Sequence, residues 1–199
     1  RKTQMIKNMK VRQSLVMGYG ITIGISALTI IISLFLMTMQ KGQYTNILER
    51  YVASNEAVFE CRISYNIAAR GLRDAVLSGD MSSIDTANSK ISELKTELAE
   101  LNNIYPLEDK TELNNFVALV EDWEAEAEKI GQTARTNQEQ AANMIVTTCT
   151  PVLTQAAAAG DTLAARLQSE QAKVIERQNT ISTIAIIAII VAMVIATLV

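Results

Sequence analysis

Two long, uncharged apolar runs constrain the fold of this 199-residue chain more than any other feature. The first covers residues 15–39, and the second, TISTIAIIAIIVAMVIATLV, covers residues 180–199. Each is at least as long as the roughly 20 residues that a helix needs to cross a bilayer. Because the first run is longer than the apolar core of a signal peptide, we interpret it as an uncleaved anchor. The sequence therefore predicts two transmembrane helices in contact with membrane lipid.

The charge around the first run predicts the orientation of the chain. Five basic residues and no acidic residue precede this run, namely Arg1, Lys2, Lys7, Lys10 and Arg12. The positive-inside rule places such a segment, residues 1–14, in the cytoplasm. We therefore expect a plasma-membrane protein whose residues 40–179 are extracytoplasmic. We also expect the sequence to be a piece of a longer protein, whose output region would follow the second run.

The segment between the runs is acidic, since it contains all 21 acidic residues but only 13 of the 18 basic ones, a net charge of −8. Such a charge does not favour nucleic acid as a partner. The chain has two cysteines, Cys61 and Cys149, whose distances from the membrane differ by about 13 Å at 1.5 Å per residue, more than a disulfide usually spans. We expect two free, buried thiols.

The same segment has an all-α pattern, with two prolines and apolar residues that alternate spacings of three and four. In the second helix, predicted at 82–104, these are Ile84, Ala87, Ile91, Leu94, Leu98 and Leu101. In the third, predicted at 108–133, they are Leu113, Phe116, Val120, Trp123, Ala127, Ile130 and Ala134. Ser82 and Asp85 have the spacing of a capping box at the start of the second helix. We assign these apolar residues to the core.

Two longer helices flank this pair and continue into the membrane. The first extends from the first run to about Ser78, and the fourth extends without a break from Asn137 to Val199, with Pro151 removing one backbone donor. The apolar residues of the fourth are Ala142, Ile145, Cys149, Val152, Ala156, Leu163, Leu167 and Val174. The lengths predict an antiparallel four-helix bundle that is four-stranded in its distal half. A two-helix stalk would bury little alone, which favours a homodimer.

The charged residues do not indicate catalysis. The acidic run at Glu121, Glu124, Glu126 and Glu128 is typical of a solvated face, because the chain has no histidine and the acids do not form a ligand loop. No nucleophile–base pair, metal cluster or phosphate loop is visible in the sequence. We therefore expect neither an enzyme nor a protein with a metal or another cofactor.

A polar layer interrupts the apolar pattern of the first helix within CRISYNIAARGLRDAV. At heptad spacing the seam passes Phe59, Arg62, Asn66, Ala69, Arg73 and Val76, with Arg70 beside it. Counted from the membrane, Arg70 and Arg73 lie at the height of Thr147, Thr148 and Thr150 on the fourth helix. Guanidinium groups opposite hydroxyls suit a small carboxylate ligand. The alternative is that the arginines pair with Glu56, Glu60 or Asp74 and the threonines bond their own backbone.

The order and lengths of these segments, the late arginines of the first helix and the TTCTP turn together resemble the four-helix-bundle sensor of bacterial methyl-accepting chemotaxis receptors. The resemblance covers nearly the whole chain. It implies a site at a dimer interface: Arg70 and Arg73 would contact the carboxylate, Arg62 and Asn66 would contribute from either subunit, and Thr147, Thr148 and Thr150 would be the polar partners. It also implies a HAMP and signalling region after Val199.

Three functions are compatible with this pattern. The first is a chemotaxis receptor that senses a ligand directly or through a ligand-loaded binding protein and transmits the signal by movement of the fourth helix. The second is the same sensor attached to a histidine kinase or a cyclase. The third is a structural, membrane-anchored coiled-coil protein without a ligand.

Overall fold

The computed structural model describes residues 11–198, with side chains at 15–35, 38, 42 and 44–194. These residues form helices joined by short turns, and no strand occurs among them, in agreement with the predicted all-α class. The elements are α1 (Val11–Ser78), α2 (Ser82–Ile104), α3 (Thr111–Ala134), α4 (Gln138–Met144), a π-helical turn (Ile145–Cys149) and α5 (Thr150–Leu198). The basic residues Arg1, Lys2, Lys7 and Lys10, and Val199, lie outside the described residues.

The chain divides into two compact units, one of Arg1–Asn46 with Lys173–Val199 and one of Ile47–Ala172. The first unit contains both apolar runs. Most of the described apolar side chains in these runs are exposed, as Phe35 and Ile184 illustrate. By length and composition, the described residues contain two helices that are able to cross a membrane.

The second unit is an antiparallel four-helix bundle. Ser64 Oγ on α1 donates a hydrogen bond to Glu97 Oε1 on α2 at 2.9 Å. On α3 and α5, Phe116 packs against Gly160 while Arg166 pairs with Glu112. Between α1 and α2, Gly71 also lies against Ser83. In both pairs, residues later on one helix therefore meet residues earlier on the other, and the helices run in opposite directions.

The core of the bundle contains every apolar residue that the heptad patterns of α2 and α3 place there. Trp123 and Phe116 on α3 are completely buried. The indole of Trp123 packs against the ring of Tyr65 on α1, with ring centroids 6.2 Å apart. Each such buried large side chain contributes roughly 1.5–3 kcal/mol relative to an exposed one. The burial of these residues confirms the faces that the alternating spacing predicts for the two helices.

Both middle helices begin after an aspartate. Asp80 Oδ1 accepts a hydrogen bond from Ser82 N at 3.0 Å, after Gly79 has turned the chain with φ of 75°. The predicted capping by Ser82 and Asp85 is therefore wrong, and Asp80 takes that role. Asp109 Oδ1 accepts from Thr111 N at 3.0 Å in the same way, so α3 begins three residues later than predicted.

The C-terminus of α2 is held by α1. Arg50 Nη2 donates to the carbonyl of Tyr105 at 3.0 Å, and Ser54 Oγ donates to the carbonyl of Ile104 at 3.4 Å. These bonds supply donors for carbonyls that a helix end leaves unpaired. The four-helix part therefore extends along α1 from Arg50 to Ser78.

Candidate functional site

A π-helical turn interrupts the fourth helix at the threonines that the sequence singles out. The N–H of Thr150 donates to the carbonyl of Ile145, five residues back instead of four. Pro151 then lies in the first turn of α5, where a helix tolerates a residue without an N–H. The expectation of an unbroken helix from Asn137 onward is therefore wrong at 145–149. π-Helical turns occur frequently at functional sites.

A signal for this turn is present in the sequence. The buried residues Ala141, Ile145, Cys149 and Leu153 recur every four residues, which is wider than the 3.6 residues of an α-helical turn. The predicted pattern instead places Ala142 and Val152 in the core, and both are only half-buried. The extra residue of the π turn causes this shift of phase.

Arg62 and Asn66 are engaged within the chain. Arg62 Nη1 lies 2.6 Å from Asp161 Oδ1 on α5, and the side chain of Arg62 is about two-thirds buried. Asn66 is exposed and its Nδ2 donates to the carbonyl of Arg62 at 2.7 Å. The partner of Arg62 is therefore an aspartate that the sequence reasoning did not consider.

Arg70 and Arg73 differ from Arg62, because both are exposed and neither forms an ion pair within the part of the chain that the structure describes. The alternative of pairing with Glu56, Glu60 or Asp74 along the same helix is not realised there. Two guanidinium groups on adjacent turns are thus open to an anion from outside the bundle.

The threonines use their hydroxyl protons locally, as the alternative interpretation proposed. Thr147 Oγ1 donates to the carbonyl of Asn143 and Thr148 Oγ1 to that of Met144, both at 2.8 Å. Thr147 and Thr148 are exposed and Thr150 is half-buried. Because a hydroxyl oxygen has two lone pairs, each can still accept a hydrogen bond from a ligand.

The structure places Arg73 at the level of the π turn. Burial raises the pKa of Cys149, while Trp123 and the positive charge of Arg73 oppose that rise. Arg62 lies at another level, since its partner Asp161 is roughly 18 Å farther along α5 at 1.5 Å per residue. Arg73 therefore acts on Cys149 of the π turn, whereas Arg62 pairs with α5 about 18 Å farther on.

An exposed stripe on α1 contains the two free arginines. From Phe59 onward its residues follow each other at spacings of four and three, and its polar residues lie between apolar ones. The stripe consists of Val52, Phe59, Ile63, Asn66, Arg70, Arg73 and Leu77. Phe59 is 60% and Leu77 81% exposed. The predicted seam does not lie on one face, because Ala69 and Val76 are buried inside the bundle while Phe59, Asn66 and Arg73 are exposed. We call the exposed set the α1 stripe.

Both cysteines are free and buried, as predicted. Burial, with a contribution from Glu97, raises the pKa of Cys61 to about 12. Neither thiol is therefore a reactive thiolate at neutral pH.

Glu124 is buried, although the sequence predicts that it lies on a solvated face. Its exposed fraction is only 6%. Its Oε2 lies 3.6 Å from Lys95 Nζ on α2, while its Oε1 is buried without a hydrogen-bond partner among the described residues. Burial raises the pKa of this carboxyl, and Lys95 opposes the rise. The charge of Glu124 gives no signal of its burial, because the neighbouring glutamates carry the same carboxylate.

No family model matches this sequence, and no curated protein or solved structure matches it either.

Proposed function

We propose that this chain is the sensory and membrane-spanning part of a homodimeric chemotaxis receptor that binds a small carboxylate outside the cytoplasm. The observation that carries the proposal is the pair Arg70 and Arg73, which are exposed on adjacent turns of α1 and form no ion pair among the described residues. Guanidinium groups bind carboxylates bidentately, and the hydroxyl oxygens of Thr147 and Thr148 accept from an ammonium or hydroxyl group of the same ligand.

The α1 stripe supports the homodimer. Its apolar part, with Val52, Phe59 and Ile63, follows the alternating spacing that a partner helix covers in a coiled coil. If a second copy pairs in parallel along the stripe, Arg70 and Arg73 approach their counterparts. Like charges repel each other at such a seam, and a bound carboxylate offsets that repulsion. Ligand binding and the packing of the two copies would then be coupled.

The path to the cytoplasm is α5. This helix is continuous from Thr150 to Leu198, so a small displacement at the π turn would be transmitted along it. The basic N-terminal segment would lie in the cytoplasm, and an output region following the second run would receive the displacement.

Binding is tested by calorimetric titration of the full chain in lipid nanodiscs with succinate and with aspartate. We expect saturable binding of at least one acid, weakened tenfold or more in Arg73→Ala and in Arg70→Ala. Arg135→Ala is the matched control, because Arg135 is exposed on the same bundle but pairs with Asp85 at 3.5 Å. Equal binding by the three variants would contradict the assigned site.

Transmission is tested by inserting a Gly-Pro pair next to Arg177 in a chain fused to a reporter kinase after Val199. The insertion breaks α5 and should abolish the ligand response of the kinase without weakening ligand binding. Signalling that survives the insertion would exclude α5 as the path.

A further inference from the structure

A groove of about 350 Å³ between α2 and α3 lies beside the buried carboxylate of Glu124. Its apolar wall is formed by Leu98, Ala99 and Val117, and its polar wall includes Lys95, Glu121 and Glu124. The volume falls within the range of small-molecule sites. We call this surface the α2–α3 groove.

The charge at the groove is incompletely balanced. Lys95 Nζ lies 3.6 Å from Glu124 Oε2 and 3.4 Å from Glu128 Oε1, so one ammonium is shared between two carboxylates. Glu121 lines the same groove, one helical turn before Glu124, and forms no ion pair within residues 11–198. The negative charge at this surface therefore exceeds the positive charge that the chain supplies.

The unpartnered oxygen of Glu124 is the second observation. A buried carboxylate oxygen without a donor costs free energy, because it has lost its water and gained no hydrogen bond. Such groups are rare in native proteins, and a bound donor is one of the ordinary explanations. An ammonium group has three donors and a positive charge, which suits both Glu124 and Glu121.

We propose that the α2–α3 groove binds a small aliphatic amine in its protonated form. The ammonium group donates to Glu124 and Glu121, and the aliphatic part packs on Leu98, Ala99 and Val117. Lys95 turns to Glu128, which it already contacts. This site uses neither Arg70 nor Arg73, so it does not depend on the carboxylate site proposed above.

The probe is n-propylammonium chloride, titrated into the full chain in nanodiscs at pH 7.5, with sodium chloride at equal ionic strength as the blank. Binding is measured as the heat of the titration. We expect saturable heat with n-propylammonium and none with propan-1-ol, which has the same length but no charge. A response that propan-1-ol reproduces, or that does not saturate, overturns the proposal.

Two variants locate the site. Glu124→Gln keeps the shape of the side chain without its charge and should weaken binding at least tenfold. Val117→Phe fills the groove, retains both carboxylates and should have the same effect. Glu139→Gln, on an exposed position of α4, is the matched control and should bind as the parent chain does.

A further variant separates the two proposals. Arg73→Ala should bind n-propylammonium normally even where it no longer binds a carboxylate. If the groove variants bind the amine as tightly as the parent chain, the proposal for the groove fails while the carboxylate site stands. If Arg73→Ala binds acids normally but the groove variants lose the amine, the carboxylate site fails instead.

Discussion

Arg62 Nη1 on α1 lies 2.6 Å from Asp161 Oδ1 on α5, and this ion pair joins the two long helices of the bundle. The arginine side chain is 35% exposed and the aspartate 64%, so solvent screens their attraction. Such pairs typically contribute about 0.2–1 kcal/mol. The pair therefore joins α1 to α5 but contributes little to the stability of the fold.

We predict that Arg62→Ala lowers the free energy of unfolding by less than about 1 kcal/mol and leaves carboxylate binding unchanged. A double-mutant cycle with Asp161→Ala, measured by denaturant unfolding in detergent micelles, isolates the pair. Loss of carboxylate binding in Arg62→Ala would instead return this arginine to the ligand site.

Phe59 lies in the apolar part of the α1 stripe and is exposed within a single chain. We predict that Phe59→Glu weakens self-association at least tenfold, because a carboxylate would then lie at the centre of the paired seam. Analytical ultracentrifugation in micelles provides the measurement. Ala118→Glu, which adds the same charge at an exposed position of α3, should leave the association state unchanged.

Gly71 allows α1 and α2 to approach each other closely. A Cβ at this position would lie 2.8 Å from the backbone carbonyl oxygen of Ser83, so the helices must shift to accept it. We predict that Gly71→Ala destabilises the bundle by about 1–3 kcal/mol and alters carboxylate binding by displacing Arg70 and Arg73.

Gly42→Ala is the matched control for that substitution, because no heavy atom lies within 4 Å of its added Cβ. Alanine favours a helix by up to about 1 kcal/mol over glycine, so this variant should be as stable as the parent or more stable. Unfolding curves of the two variants that coincide would contradict the close approach at Gly71.

Glu97 gives the bundle a dependence on pH. Burial raises the pKa of this carboxyl above its ordinary value of 4.5, and the negative charges of Glu60 and Glu93 add to the rise. The hydrogen bond from Ser64 and the positive charge of Lys90 lower the pKa. A group whose pKa is raised by folding binds its proton more tightly in the folded chain. Protonation therefore stabilises the fold as the pH falls through the folded pKa, and the gain is complete below about 4.5.

We predict that Glu97→Gln raises the melting temperature at pH 7.5 and reduces the gain in stability between pH 7.5 and 4.5. Glutamine can still accept the hydrogen bond from Ser64 through its amide oxygen. Thermal unfolding across this pH range, with Glu139→Gln as the control, provides the measurement. A lower melting temperature for Glu97→Gln at pH 7.5 would show that the charged form is the favourable one.

The ion pairs of Arg166 make the stability of the bundle depend on pH in the opposite direction to Glu97. Its guanidinium binds Asp109 at 2.9 Å and also Glu112, joining α5 to the start of α3. Hydrogen bonds from Thr111 and Arg166 lower the pKa of Asp109 to about 2, and those from Arg166 lower the pKa of Glu112. Because these pKa values are lowered by folding, their stabilisation is present at neutral pH and is lost as the pH falls from about 4.5 towards 2.

We predict that Arg166→Gln is less stable than the parent chain at pH 7 and that the difference shrinks below pH 4. Arg166→Lys should retain part of the stability, because an ammonium group keeps the charge but not the forked geometry. Melting temperatures at pH 7, 4 and 2.5 test this. A difference that stays constant over that range would assign the effect of Arg166 to packing.

Much of the fold follows from local patterns. The buried faces of α2 and α3, from Ile84 to Ala134, were predictable because a helix with 3.6 residues per turn brings every third or fourth residue to one side. The two helices able to cross a membrane, and the free cysteines, followed from counting residues along the chain.

The sequence by itself determined where helices form and which residues of the middle pair face inward, because periodicity and charge act within one helix. Only the tertiary structure decided that Asp161 pairs with Arg62, that Glu124 is buried, and that a π turn precedes Pro151. Each of these depends on how far one helix is rotated against its neighbour. That rotation is fixed by packing between residues distant in the chain, which no single helical pattern encodes.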